Sequence, residues 1–178
     1  MIKPISIYIA GAIERSKDYG VGIRKEIKRE IKRLFNNKDV VKIIDPCDFK
    51  YNQGKYPTML SYQEKKSHNL SSCVRHCSVI VDGDIKAVKG ADIIIVLLDE
   101  NCGAGTASEV TVAKDHNKIV LGYFLNERWK NVSPWILSRV DEFFYSKLSL
   151  MKEVSKQVTT LIEYRKWFEL LASYRRSL

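Results

Sequence analysis

Glu109 closes a glycine-containing run, residues 103–109 (GAGTASE), that directly follows an apolar stretch. Glycines and Thr106 at the start of a helix offer free backbone N–H groups and a hydroxyl, which together can hold an anion or a hydroxyl group. A carboxylate in the first turn suits attack on the anomeric carbon of a sugar, or a hydrogen bond that orients a ribose. The same spacing fits equally well a glutamate that only favours the helix dipole and caps the first turn.

Asp84 is the carboxylate that we pair with Glu109. Cleavage of a glycosidic bond usually needs two carboxylates at the mouth of one crevice. One attacks the sugar or stabilises the cationic transition state, and the other positions the sugar or relays a proton. The simpler alternative for Asp84 is the N-cap of a helix that ends before residue 91. Asp92 opens the next apolar run, where a structural cap on a backbone turn is the favoured interpretation.

Neither a cofactor nor a metal site is expected from the sequence. No lysine follows the glycines, as one would in a Walker loop, and the loop lacks the third glycine of a dinucleotide-binding fingerprint. Cys73, Cys77, His76 and His68 form a conceivable zinc group, but structural zinc sites usually have four ligands in tighter pairs. Ordinary half-buried cysteines are the favoured interpretation.

Strand-like and helix-like segments alternate along the chain. The strand-like runs cover residues 5–10, 40–44, 93–98, 118–124 and, at an expected sheet edge, 142–145. Helical spacing is found at residues 19–36, 110–116 and about 147–176, with two short helices expected between 58 and 90. Runs that are apolar at every position are typical of parallel sheets. The pattern predicts a single α/β domain over residues 1–178, with a doubly wound, mainly parallel sheet and a long C-terminal helix.

Length and composition are those of one globular domain. The 178 residues are 45% hydrophobic and 29% charged, and no apolar run approaches the roughly 18 residues that a membrane span needs. No signal-peptide pattern opens the chain, so a cytoplasmic location is expected.

The net charge of +9 raises the hypothesis of a nucleic-acid-binding protein. Because the basic residues alternate with acidic and apolar ones, as on the solvated face of an amphipathic helix, a nucleic-acid partner is not expected. The lack of a long apolar run means that a membrane partner is not expected either.

Three segments, in order and in register, resemble the nucleoside 2-deoxyribosyltransferase superfamily, which includes the transferases and the related deoxynucleotide N-glycoside hydrolases. They are residues 7–11 (IYIAG), residues 84–92 (DIKAVKGAD) and residues 105–109 (GTASE) with Ala113. The resemblance covers residues 5 to 125. It implies a flavodoxin/Rossmann-like fold and an enzyme that breaks an N-glycosidic bond through a covalent glycosyl-enzyme intermediate.

The resemblance also implies roles for individual residues. Glu109 matches the family's nucleophile, and Asp84 matches the aspartate that positions the sugar or relays a proton. Tyr8 and Gly11 fall where the family forms the floor of the nucleoside pocket. The substrate-binding candidates are Tyr8, Gly11, Ala12, Asp92, Gly103, Gly105 and Thr106. The expected partner is therefore a small-molecule nucleoside or nucleotide.

A homo-oligomer is implied as well, because family members commonly complete the pocket with a neighbouring chain. The C-terminal third of the sequence carries Trp129, Trp135 and Trp167 with several tyrosines. Such aromatic residues either fill a core or cover a partner surface. We expect most of them in the core.

Three positions depart from the family pattern. Gly103 stands six residues before the expected nucleophile, where many transferases have a second carboxylate. Ala12 and Glu14 stand where the nucleotide-hydrolase branch tends to hold a 5′-phosphate with a serine and an arginine, and a carboxylate would repel phosphate. Arg15 or Lys17 could take the place of that arginine. Both hydrolysis and transfer fit the sequence, and the alternative function is a non-catalytic nucleotide-binding or sensing module of the same fold.

Overall fold

Strands and helices alternate along the chain in a computed structural model, which describes residues 3–12, 20–36, 39–48 and 70–176. For residues 70–77 and 176 it describes the backbone only. The strands are β1 (Ile5–Gly11), β2 (Val41–Ile44), β3 (Ile93–Leu98), β4 (Ile119–Phe124) and β5 (Glu142–Phe144). The helices are α1 (Val21–Leu34), α2 (Leu70–Gly90), α3 (Ala104–Asp115), α4 (Pro134–Leu137) and α5 (Lys147–Arg176), with a 3₁₀ turn at Trp129–Asn131.

The described strands form one five-stranded sheet in the order β2-β1-β3-β4-β5, and every neighbouring pair is parallel. β1 and β3 lie side by side, and every residue of both strands is buried. Their unbroken apolar runs follow from this position, because a strand that is covered on both faces has no solvent-facing side. The expected parallel sheet is confirmed, and so is the edge position of β5.

Alternate residues of the central strands enter two separate hydrophobic layers. One layer contains Ile7, Ile9, Ile93 and Ile95 with Ile27 and Ile31 of α1 and Leu150 and Val154 of α5. The other contains Tyr8, Ala10, Ile94 and Val96 with Val88 of α2 and Val110 and Ala113 of α3. Helices therefore cover both faces of the sheet. This confirms the doubly wound α/β fold, and the long C-terminal helix is confirmed as the 30-residue α5.

The strand order opens a crevice at the carboxyl ends of β1 and β3. The chain leaves β1 towards α1 on one face and leaves β3 towards α3 on the other, so the two connections separate at this edge. Gly11 ends β1 with a φ of +141°, and a Cβ there would lie 2.9 Å from both Cβ and O of Leu97 on β3. Glycine is therefore required where the two strands approach each other at the crevice.

Two helices differ from their expected boundaries. α2 is one helix of 21 residues, so Asp84 lies within it and is not an N-cap. No proline interrupts residues 70–90, and a single internal glycine, Gly83, costs only about 1 kcal/mol, which burial of the helix outweighs. The other short helix was expected partly on residues 58–69, outside the described residues. α3 begins earlier than expected, because Thr106, Glu109, Val110 and Ala113 form a buried stripe at helical spacing.

The tryptophans of the C-terminal third lie on the surface. Trp129, Trp135 and Trp167 are 44%, 70% and 55% exposed. The expectation that these aromatic residues fill the core is therefore wrong for all three. The two layers of the core are filled by other side chains. Within the part of the chain that the structure describes, no helix combines the length and the apolar character of a membrane span.

Candidate functional site

The Glu109 carboxylate lies between β1 and α3. Glu109 is in the second turn of α3 and is 9% exposed. Tyr8 of β1 is fully buried and donates a hydrogen bond from its hydroxyl to Glu109 Oε1 over 2.5 Å. This bond joins helix to sheet, whereas a capping glutamate bonds to the backbone at the start of its own helix. The capping interpretation of Glu109 is therefore wrong.

Burial raises the pKa of Glu109 to about 7, from an ordinary value of 4.5. The hydrogen bond from Tyr8 and the positive charge of Arg24 lower this pKa, and the negative charge of Asp84 raises it. The pKa of Tyr8 is raised well above its ordinary value, first by burial and then by the charge of Glu109. Tyr8 consequently stays a hydrogen-bond donor at neutral pH, while Glu109 gains or loses its proton there.

Asp84 belongs to the same electrostatic group. It lies on α2, which packs beside both α3 and β1. Asp84 is half-buried, and its charge acts on Glu109 and on Tyr8. The structure thus brings two carboxylates and a tyrosine together from three separate elements.

A buried ion pair lies beside the crevice, and the sequence analysis did not identify it. Arg24 of α1 and Asp45, which follows β2, are 1% and 2% exposed. Arg24 donates to the carbonyl oxygens of Ile9 (2.6 Å) and Gly11 (2.9 Å) and to Asp45 Oδ1 (3.2 Å). Lys28 Nζ lies 2.5 Å from the other oxygen, Asp45 Oδ2. Arg24 therefore ties the carboxyl ends of β1 and β2 to α1 and brings a positive charge to the site.

The sequence does contain a signal for Arg24. It stands three residues before Ile27 and seven before Ile31, both of which are buried, so it shares the apolar stripe of α1. A cation on an apolar stripe needs a buried counter-charge. Asp45, placed directly after a strand, supplies that charge.

The start of α3 leaves room for a ligand. Gly103 is the N-cap, and among the described residues no side chain caps the first turn. A Cβ at Gly105 would meet no described atom within 4 Å, and one at Gly103 would meet only Asn101 O, at 4.0 Å. Thr106, next in the first turn, is buried. The N–H groups of this helix start are therefore accessible to a hydroxyl or an anion.

Asp92 lies at the opposite edge of the sheet. It precedes β3, where its Oδ2 accepts a hydrogen bond from Ser6 N over 2.7 Å and its Oδ1 accepts one from Arg165 Nη2 over 2.6 Å. Six strand residues separate it from the crevice, or roughly 20 Å at the rise of a β-strand. The inclusion of Asp92 among the substrate-binding residues is therefore corrected to a structural role, which joins β1 and β3 to α5.

Of the remaining candidate residues, some lie at the crevice and others lie outside the described part of the chain. Ala12 follows Gly11 at the end of β1 and is buried at the crevice. The residues considered for phosphate binding, Glu14, Arg15 and Lys17, lie outside the described residues, as does His68. Cys73, His76 and Cys77 lie on α2 in the part whose side chains are not described.

Two cysteines at the carboxyl edge of the sheet are unsuited to act as the nucleophile. Cys47 follows β2, and Cys102 lies just before α3. Burial raises the pKa of Cys47 to about 11 and also raises the pKa of Cys102. Because the thiolate is the attacking form of cysteine, neither residue is activated at neutral pH.

The raised pKa of Glu109 predicts a stability that falls as the pH rises. Below about pH 4.5 the residue is protonated in both the folded and the unfolded chain; between about pH 4.5 and 7 only the unfolded chain loses the proton. The unfolding free energy of the wild type, taken relative to that of Glu109→Gln, is therefore expected to be about 3 kcal/mol lower at pH 8 than at pH 4. Urea unfolding of both proteins at the two pH values measures this. A difference that does not change with pH would contradict the expectation.

No protein-family model matches the chain, and comparison with curated protein sequences finds no significant match. Comparison with solved structures finds similar folds. The chain is similar to a 2-deoxyribosyltransferase from Bacillus psychrosaccharolyticus, with a TM-score of 0.54 and 13% identity over 84% of this chain and 90% of that one. A 2-deoxyribosyltransferase from Leishmania mexicana has a TM-score of 0.40 and 21% identity over 69% of this chain and 66% of that one. A CMP N-glycosidase from Clostridium botulinum has a TM-score of 0.42 and 10% identity over 84% and 96%.

The similarity to the Bacillus enzyme concerns the fold, because only 13% of the residues are identical. It agrees with the five-stranded parallel sheet and with the helices on both of its faces. The chain therefore has a fold similar to that of this 2-deoxyribosyltransferase, and the flavodoxin/Rossmann-like fold expected from the sequence is confirmed.

Proposed function

We propose that the protein is an enzyme that cleaves or transfers at the N-glycosidic bond of a nucleoside or nucleotide, with Glu109 as the nucleophile. The observation that carries this proposal is the buried carboxylate of Glu109, which lies in the helix that follows β3 and is held by Tyr8. In folds of this kind, ligands bind beyond the carboxyl ends of the strands. The resemblance of three sequence segments supports the choice of an N-glycosidic bond. The shared fold of a solved 2-deoxyribosyltransferase is consistent with it.

The proposed reaction has two steps. An oxygen of ionised Glu109 attacks the anomeric carbon, the carbon–nitrogen bond breaks, and the base leaves with the electron pair and takes up a proton. The sugar remains as an ester of Glu109. Because Tyr8 bonds to Oε1, we assign the attack to Oε2. Water or a second base then attacks the same carbon, gives up a proton, and releases the carboxylate.

The other candidate residues would bind and orient the sugar. Asp84 is assigned to position the sugar or relay a proton, from its place on α2 beside Glu109. Thr106 and the backbone at Gly103 and Gly105 would hold a hydroxyl or a phosphate at the start of α3. Gly11 and Ala12, with Tyr8, would form the floor of the pocket. Completion of the pocket by a neighbouring chain stays a prediction.

Release of free base tests the proposal. Wild type and Asp84→Asn are incubated with ribo- and deoxyribonucleosides and their 5′-monophosphates, with and without a second base, and products are separated by liquid chromatography. Base release by the wild type with at least one substrate is expected, reduced in Asp84→Asn. A new nucleoside in the presence of the second base identifies transfer, and free sugar identifies hydrolysis.

A non-catalytic nucleotide-binding module is the second candidate function. The observation that favours it is Gly103, which leaves the helix start without the carboxylate that many transferases have there. A nucleotide that raises the melting temperature without any base release over long incubation would support this candidate and contradict the enzymatic one.

Tyr8→Phe is expected to shift the acidic limb of the pH–rate profile upwards. The hydrogen bond from Tyr8 lowers the pKa of Glu109, so its loss raises that pKa above about 7. Because the ionised carboxylate attacks, activity rises with pH through this pKa, and the midpoint should move up by about one pH unit. Tyr123→Phe, on the opposite face of the sheet, is the control. An unchanged midpoint in Tyr8→Phe would contradict the assigned role of the hydrogen bond.

A further inference from the structure

The last turns of α5 carry an exposed apolar surface. From residue 163 to residue 175 every side chain except Arg165 is exposed. Six of these side chains are large and apolar, with exposures between 38% and 68%: Tyr164, Trp167, Phe168, Leu170, Leu171 and Tyr174. Four of them, Tyr164, Trp167, Leu171 and Tyr174, are referred to below as the α5 seam.

The α5 seam lies largely beyond the end of the sheet. The first half of α5 packs on the sheet through buried leucine, methionine and valine side chains. Arg165 then donates to the carbonyl oxygens of Lys3 and Pro4 and to the carboxylate of Asp92, which marks the amino edge of the sheet. Residues 166–176 continue the helix for about 16 Å past this point. These turns continue a helix that is anchored on the sheet, and their large apolar side chains stay exposed.

We propose that the α5 seam binds a second copy of this chain. Its residues are spaced by three, four and three positions, as in the seam of a coiled coil. If two such helices lie antiparallel across a two-fold axis, Trp167 of one copy meets Leu171 of the other, and Tyr164 meets Tyr174. Each residue of the α5 seam then has an apolar partner, which is the self-complementarity that a two-fold interface requires.

The area of the surface is sufficient for a dimer. Covering the four seam residues and the flanking Phe168 and Leu170 would bury roughly 600 Å² on each chain. The pair would then bury roughly 1,200 Å², at the lower end of stable specific interfaces. The rings of Tyr164, Trp167 and Phe168 already pack on one another with centroids 5.3–6.5 Å apart. These side chains would therefore lose little freedom when a partner covers them.

The charges around the seam favour a protein partner over an anionic lipid surface. Glu163 and Glu169 stand among Lys166 and Arg175 along these turns. Arg165 is already paired with Asp92. A helix that lies on an anionic membrane has a predominantly basic polar face, which this mixture of charges does not provide.

Leu171→Glu and Ser173→Glu form a matched pair of test variants. Each adds one carboxylate in the same turn, but Ser173 lies on the side of α5 that points away from the seam. Light scattering and sedimentation over a range of concentrations measure the mass, and circular dichroism checks the helix content. Wild type and Ser173→Glu are expected at twice the chain mass of 20.5 kDa. In Leu171→Glu the dissociation constant should rise by at least about 30-fold, with Trp167→Glu as a second seam variant.

Three outcomes would overturn the inference. A wild type that is monomeric at every concentration excludes a second copy as the partner. A dimer that survives both Leu171→Glu and Trp167→Glu forms through another surface. A monomer that floats with phosphatidylserine-containing vesicles and loses this binding in Leu171→Glu assigns the seam to lipid. The mass is measured without substrate, and the α5 seam lies at the edge of the sheet opposite Glu109. These outcomes are therefore independent of the proposed function.

Discussion

Replacing Glu109 with glutamine is expected to lower the rate of base release by at least about 10⁴-fold. Glutamine has nearly the same shape, and its carbonyl oxygen can accept the hydrogen bond that Tyr8 now donates to Oε1. The packing between β1 and α3 should therefore be kept. The amide has no negative charge and cannot form the glycosyl ester, so the loss should fall on the chemical step.

Steady-state and single-turnover rates measure this loss. Glu169→Gln makes the same change on the exposed part of α5 and should keep the wild-type rate. Mass spectrometry of rapidly quenched wild type should show one sugar attached to the peptide that contains Glu109, and no such adduct in Glu109→Gln. Base release by Glu109→Gln at the wild-type rate would contradict the assignment of the nucleophile.

Arg24→Met is expected to lower the free energy of unfolding by about 3–5 kcal/mol. Methionine keeps much of the apolar stem but removes the guanidinium that neutralises buried Asp45. The carbonyl oxygens of Ile9 and Gly11 would each lose a charged donor at the end of β1. Lys28 would remain 2.5 Å from the other Asp45 oxygen, but it is Arg24 that donates to the carbonyl oxygens of β1.

Urea unfolding compares Arg24→Met with Lys25→Met, the exposed next residue of α1. The control should change the unfolding free energy by less than about 0.5 kcal/mol, as is usual for surface positions. The comparison is made at one pH, because the protonation of Glu109 also affects stability. A loss below about 1 kcal/mol in Arg24→Met would show that the ion pair does not hold the carboxyl ends of the strands together.

Local patterns in the sequence were sufficient to predict most elements of the fold. β1 and β3 are apolar at every position because both of their faces are covered, and this requirement is visible in the sequence itself. The boundaries of α3 were less predictable. Glycine at residues 103 and 105 argues against a helix by propensity, but the buried stripe that begins at Thr106 outweighs that preference.

The candidate site was predictable in part. The glycine run singled out Glu109, the need for a second carboxylate paired it with Asp84, and the resemblance of three segments added Tyr8. Arg24 was missed, because the many basic residues of α1 alternate with acidic and apolar ones and look uniformly solvated. Its position on the stripe with Ile27 distinguishes it from them.

The sequence by itself determined the alternation of strands and helices, the glycine-opened helix and the acidic residue that it carries. Only the tertiary structure decided that Tyr8 bonds to Glu109 across 101 positions of sequence, that Arg24 pairs with Asp45, and that Asp92 faces the other edge. The physical reason is that burial and pairing of charges depend on which elements pack together, and such contacts join residues that are distant in sequence. The run around Glu109 can therefore be recognised in the sequence, whereas the raised pKa of Glu109 results from its burial in the folded protein.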